Sequence, residues 1–133
     1  MKEVSQLSEY QFPSPEMAIA SLRVPLDQIA ERSGLTVETW EEHGLGRARG
    51  MFVQFSSGRV ALLRELEHAI KHLGQEGPTI YVDAVAVASG VERLVAEILE
   101  GLGLPNSAVA DIAPSDSRDV AAQLLTAMTR RDG

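Results

Sequence analysis

The sequence predicts an α+β fold: a small, mainly antiparallel sheet built on a central hairpin and flanked by helices. Residues 50–64 form two runs of period two on either side of Ser56-Ser57-Gly58, with both faces largely apolar, which is typical of a β-hairpin, because glycine adopts the positive φ of a tight turn. Residues 79–83 are a second short, β-branched run. Elsewhere apolar residues recur every three or four positions, which predicts short helices on the N-terminal side and two amphipathic helices on the C-terminal side.

The chain is expected to form one domain behind a short arm. Residues 1–13 are polar and show no clear period, so we expect a flexible N-terminal arm. A length of 133 residues suits a single domain. The remaining residues, 14–133, are therefore predicted to form a single α+β domain.

Three short helices are predicted before the hairpin. Ser14 and the proline after it form a helix start, and Gly34 occupies a position suited to a left-handed C-terminal cap. We expect these helices at residues 15–22, 26–33 and 37–43.

Five further elements are predicted after the hairpin. Ser89 and Glu92 have the spacing of a capping box, followed by a strong apolar stripe. The expected order is a helix at 65–73, a strand at 79–83, a helix from 91, a short strand at 108–113 and a last helix from 114.

Composition excludes several classes of function. The absence of cysteine excludes disulfides, thiolate zinc sites and cysteine nucleophiles. The formal net charge of −7 disfavours phosphate backbones and favours basic partners. The first ten residues have no apolar core of a signal peptide, and no apolar run reaches the ~20 residues of a membrane helix. We therefore expect a cytoplasmic protein without a membrane partner.

Residues 26–43 resemble a DNA-binding helix-turn-helix, with the hairpin as the wing. In this alternative, residues 15–64 form a winged helix-turn-helix transcriptional regulator, and the C-terminal half dimerises. The predicted recognition helix offers Glu38, Glu41 and Glu42 but no lysine or arginine, whereas base-reading helices usually carry cations or amides. The carboxylates therefore argue against nucleic acid as the partner.

A histidine pair on the fourth predicted helix is the one candidate for a metal site. Glu65, His68 and His72 share a helix face, and histidines four residues apart can chelate zinc. The glutamate of the metalloprotease motif is missing, and structural zinc sites usually have four ligands. We therefore expect an exposed polar face, with no metal and no cofactor.

No catalytic residue is assigned. Ser57 and Ser89 are explained by a turn and a helix cap, and Asp83 at a strand end is explained as a cap. The motifs of a serine nucleophile elbow and of a phosphate-binding loop are both missing. The sequence therefore favours a protein that is not an enzyme.

The partner-binding site is predicted at Glu38, Trp40, Glu41 and Glu42. Trp40 is the only tryptophan, and we expect it to anchor the core between helix and hairpin. If it is exposed among the carboxylates instead, it would form an interface hot spot for a basic protein. The resulting hypothesis is a non-enzymatic acidic binding protein. It would be a small cytoplasmic inhibitor, like an immunity protein or antitoxin, that occupies a basic partner such as a toxin domain. A homodimer remains an open alternative.

Overall fold

The computed structural model describes residues 4–112, and within them seven antiparallel strands form one sheet. The strands are β1 Ser5–Leu7, β2 Glu16–Leu22, β3 Glu38–Glu42, β4 Gly46–Gln54, β5 Val60–Leu66, β6 Thr79–Asp83 and β7 Val109–Ile112. The order across the sheet is β1-β4-β5-β6-β2-β7, and β3 also pairs with β4. Because β5 occupies one edge of β4, β1 and β3 share the other edge in succession.

The predicted hairpin is confirmed and lies inside the sheet. Strands β4 and β5 are joined by a turn in which Gly58 has a φ of 90°. Met51 faces Leu63 and Val53 faces Ala61 across the pair, and all four side chains are buried. The period of two in the sequence therefore corresponds to a buried face of the sheet.

Two helices cover this buried face of the sheet. They are α1 Leu26–Ser33 and α3 Val91–Leu102, each ending at a glycine in the left-handed conformation. The largest fully buried side chains include Ile29 of α1 and Leu94 and Ile98 of α3. Burial of each such side chain is worth about 1.5–3 kcal/mol, so this layer supplies much of the folding free energy.

The helix predicted at residues 15–22 is wrong, since the segment forms β2. A shift of register between Ala18 and Ala20 breaks its pairing with β6, and Ile19 and Ala20 are both buried. A bulge of this kind places two consecutive residues inward and so interrupts the period of two. The resulting apolar spacing imitates that of a helix.

The helix predicted at residues 37–43 is also wrong, because the segment forms β3. All five residues of β3 pair with β4, from Glu38 opposite Gly50 to Glu42 opposite Gly46. Glutamate favours helices, but the pairing partner, with Thr39 and Trp40 in the strand, overrides that weak preference. The winged helix-turn-helix alternative therefore has a strand where it requires a recognition helix.

The other predicted elements are confirmed to different extents. Helix α1 occupies its predicted range, and α2, Glu67–His72, is shorter than expected. Helix α3 begins after Gly90 without a side-chain cap, so the predicted capping box is wrong. Residues 5–7 of the predicted arm form β1, β7 coincides with the predicted fourth strand, and the predicted last helix lies outside the described residues.

The helices of residues 4–112 are all too short or too polar to cross a membrane. The connecting 3₁₀ segments are Ala84–Ser89 and Asn106–Ala108. Asp83 begins the first of them, where its Oδ1 accepts a hydrogen bond from the Val85 N–H at 2.9 Å. The sequence-based expectation that Asp83 acts as a cap is therefore confirmed.

Candidate binding face

The side of the sheet opposite α1 and α3 carries three of the four predicted site residues. Side chains alternate along a strand, so Glu38, Trp40 and Glu42 of β3 point to one side. The pairing of β3 with β4, and of β4 with β5, places Arg64 on that same side. We call this surface the open face, and it comprises Glu16, Glu38, Trp40, Glu42, Arg64 and Tyr81.

Arg64 lies at the centre of the open face and is only 7% exposed. Its Nη1 donates to Glu16 Oε1 at 3.1 Å and to Glu42 Oε2 at 3.2 Å. Its guanidinium carbon lies 4.3 Å from the centroid of the Tyr81 ring, a cation–π contact. Burial alone would lower the pKa of Arg64, but Tyr81, Glu16 and Glu42 raise it above its ordinary value. Arg64 therefore keeps its positive charge, and its contacts hold the guanidinium in one position.

Trp40 is half-buried and is held from two sides. Its indole Nε1 donates to Glu42 Oε2 at 2.7 Å, so one carboxylate oxygen joins Trp40 to Arg64. Its ring lies over Gly50, where the Cη2 atom would be 2.9 Å from a Cβ added to that glycine. The indole is therefore fixed against the sheet while part of its surface remains in solvent.

The remaining carboxylates of β3 have different surroundings. Glu38 pairs with Gly50 through its backbone, and its side chain is exposed on the open face. Glu41 points to the opposite side, where its Oε1 lies 3.9 Å from Arg47 Nε. The predicted cluster of three acids is therefore divided, because a strand alternates where a helix would have grouped them.

Three residues of this face were not predicted to have a role. The sequence predicts a helix at Glu16 and assigns no role to Arg64 or Tyr81. A signal was present for Arg64, which follows the apolar run Ala61-Leu62-Leu63 inside a predicted strand. A charge in such a run requires a buried partner, but the sequence does not identify which carboxylate supplies it.

The connection between β1 and β2 covers one end of the open face. Tyr10 and Phe12 pack against Phe52 with ring centroids 5.4 and 5.7 Å away, and the Ser14 N–H donates to Asp83 Oδ2 at 3.1 Å. Partial burial raises the pKa of Asp83, but hydrogen bonds from Ser14 and Val85 outweigh it and lower that pKa below its ordinary value. Among residues 4–112, the end that carries Trp40 is accessible, with Glu38 exposed and Trp40 half-buried.

A separate cleft of about 480 Å³ lies between the β3–β4 turn and α2. The His68 and His72 rings line it with centroids 5.0 Å apart. Arg47 and Lys71 are balanced there by Glu41 and Glu67. Within residues 4–112, no group of three or more histidine or carboxylate side chains is placed to hold a metal ion.

The chemistry available on the open face is recognition by charge and by aromatic surface. Glu38 and the second oxygens of Glu16 and Glu42 can accept hydrogen bonds from cations, and Trp40 can stack against them. No protein-family model, curated protein or solved structure matches this chain.

Proposed function

We propose that the protein is a non-enzymatic acidic binding protein whose open face occupies a basic partner protein. The observation that carries this proposal is Trp40 flanked by Glu38 and Glu42 on an accessible side of the sheet. Tryptophan is enriched among the residues that dominate binding energy, and carboxylates around it favour a cationic surface. A small cytoplasmic inhibitor, like an immunity protein or an antitoxin, would act in this way.

The distribution of charge supports a basic occupant. Most cations of the described residues are already paired with carboxylates of the same chain. The net charge of −7 means that acidic side chains outnumber the cations that could pair with them. Like charges would oppose docking of a second copy on this face, whereas a basic protein is attracted. The paired cations are Arg47, Arg49, Arg59, Arg64 and Lys71.

No observation favours the winged helix-turn-helix alternative as a second candidate. Its recognition helix is replaced by β3, and the nearby Arg47 and Arg49 face Glu41 and Asp27 respectively. Cations engaged in this way are less available to neutralise phosphates. Nucleic acid is therefore not the partner that we propose.

The decisive experiment compares Glu38→Lys with Glu41→Lys. Both variants change the same strand by the same charge, but only Glu38 lies on the open face. Decalysine serves as a basic probe, and the fluorescence of Trp40, the only tryptophan, reports binding. We expect Glu38→Lys to weaken binding clearly more than Glu41→Lys.

Two results would contradict the proposal. Equal losses in the two variants would mean that the probe senses net charge alone. Binding that leaves the Trp40 emission unchanged would place the contact elsewhere. Once a natural basic partner is isolated, the same pair of variants tests whether that partner uses the open face.

A further inference from the structure

Arg64 is a costly residue at its position. It is nearly fully buried, and its Nε has no hydrogen-bond partner within the described structure. Replacing a buried ion cluster by apolar side chains is often neutral or stabilising, so a buried arginine is weak evidence for a role in stability. The three residues before it in β5, Ala61, Leu62 and Leu63, are apolar and buried, although they point to both sides of the sheet. The guanidinium therefore calls for another explanation.

The contacts of Arg64 lead directly to Trp40. Arg64 Nη1 and Trp40 Nε1 both donate to the same oxygen, Glu42 Oε2, at 3.2 and 2.7 Å. Glu16 holds the same Nη1 from the other side, and Tyr81 supports the guanidinium from its ring face. The carboxylate of Glu42 is thus fixed between a buried cation and the indole.

We propose that Arg64 is the positioning residue of the open face. By fixing Glu42, it holds the Trp40 indole in the orientation that the basic partner meets. This inference rests on the proposed function, and it adds that recognition depends on an ordered aromatic ring rather than on negative charge alone. A lysine would not replace Arg64, because a single ammonium lacks the planar group that stacks on Tyr81 while donating to two carboxylates.

The test uses Arg64→Met and Arg64→Lys, with Arg59→Met as the matched control. Arg59 also belongs to the β4–β5 hairpin and pairs with Glu97, at 3.1 Å, away from Trp40. Acrylamide quenching of Trp40 fluorescence measures how freely the ring is exposed, without any partner. We expect both Arg64 variants to increase the quenching constant and Arg59→Met to leave it unchanged.

Binding of decalysine distinguishes positioning from charge. If charge alone matters, removing a cation from an acidic surface should tighten decalysine binding. We expect that tighter binding in Arg59→Met. We expect Arg64→Met to weaken that binding about tenfold, by analogy with the lower end of the loss when a residue that orients a metal ligand is removed. Arg64→Lys keeps the charge and should also weaken it.

Any one of three results would overturn the proposal. The first is a quenching constant of Arg64→Lys equal to that of the wild type. The second is tighter decalysine binding by Arg64→Met than by the wild type, and the third is decalysine binding by Arg64→Lys that is as tight as that of the wild type. If Arg64→Met does not fold, Arg64→Lys decides by quenching, alongside Glu16→Gln, which leaves the contact between Arg64 and Glu42 in place and should keep Trp40 protected. If the wild-type chain does not bind decalysine, the proposed function is refuted. The acrylamide measurement would still decide the role of Arg64.

Discussion

Gly50 lies at the crossing of β3, β4 and β5, and its lack of a side chain determines the geometry of the open face. A Cβ added there would approach the Leu63 carbonyl oxygen more closely than real Cβ atoms do and would press on the Trp40 ring. We expect Gly50→Ala to destabilise the fold by about 1–3 kcal/mol, the usual cost of overpacking. Chemical denaturation measures this change, and an unaltered midpoint would show that the sheet has room for a methyl group.

Glu65 is the second buried charge of β5, on the side that faces α1. Its Oε2 accepts the Leu26 N–H at 2.9 Å at the start of that helix, and its Oε1 lies 3.7 Å from Arg49 Nη1. Burial raises the pKa of Glu65 above the ordinary 4.5, and the Leu26 N–H and Arg49 offset the rise only in part, while Asp27 adds to it. The folded state therefore binds this proton more tightly than the unfolded state.

A pH dependence of stability follows from that difference. The contribution of Glu65 to the free energy of unfolding is largest below pH 4.5 and falls as the pH rises towards the folded-state pKa. Glu65→Gln keeps an oxygen acceptor for Leu26 without a charge. We expect the variant to gain stability relative to wild type across that window, as measured by urea denaturation at several pH values. A difference that does not vary with pH would show that Glu65 titrates normally.

At the scale of elements, the hairpin and α3 were predictable and β2 and β3 were not. The apolar patterns of β4 and α3 each match a single period, because each packs one regular face on the core, whereas β5 is buried on both sides of the sheet. In β2 a bulge disturbs the period, and in β3 the side chains prefer helix while the pairing partner lies several residues further along the chain. The site was predicted only in its β3 residues, because Arg64 and Glu16 come together only through the sheet order.

Helix α2 gives a prediction about metal. Its two histidines line an open cleft, and within residues 4–112 no third side chain is placed to bind a metal ion together with them. An under-liganded pair does not form a structural zinc site. We expect elemental analysis of untagged protein, purified without a chelator, to find no stoichiometric zinc. One zinc per chain, lost in His68→Ala but retained in a Lys71→Ala control, would refute this expectation.

At the scale of the whole molecule, acidity sets how partners approach. The charge of −7 creates a negative field that acts at long range. Close to the protein, the strength of this field differs between the two sides of the sheet, because Glu38 and Glu41 point to opposite sides. A basic partner should be attracted from a distance and then oriented by the open face. Duplex DNA should be repelled, most strongly at low salt, since the cations beside β3 are paired.

The last prediction concerns the rate of association with decalysine as a function of salt. Raising the ionic strength from about 0.01 to 0.15 M shortens the screening length from roughly 30 to 8 Å, so the wild-type rate should fall steeply. Glu38→Lys should slow association at low salt and flatten this dependence. Glu41→Lys should do so less, because Glu41 already faces Arg47 at 3.9 Å.

Stability should stay within about 0.5 kcal/mol in both variants, since both residues are exposed. Stopped-flow fluorescence of Trp40 provides the rates, and a gel shift with random duplex DNA at low salt provides the comparison. The assignment of the partner would be reversed by three results together. The wild-type chain would shift DNA, Glu38→Lys would strengthen that shift, and the rate of association with decalysine would not depend on salt. The acidic face would then be a barrier that nucleic acid overcomes rather than the surface that a basic protein seeks.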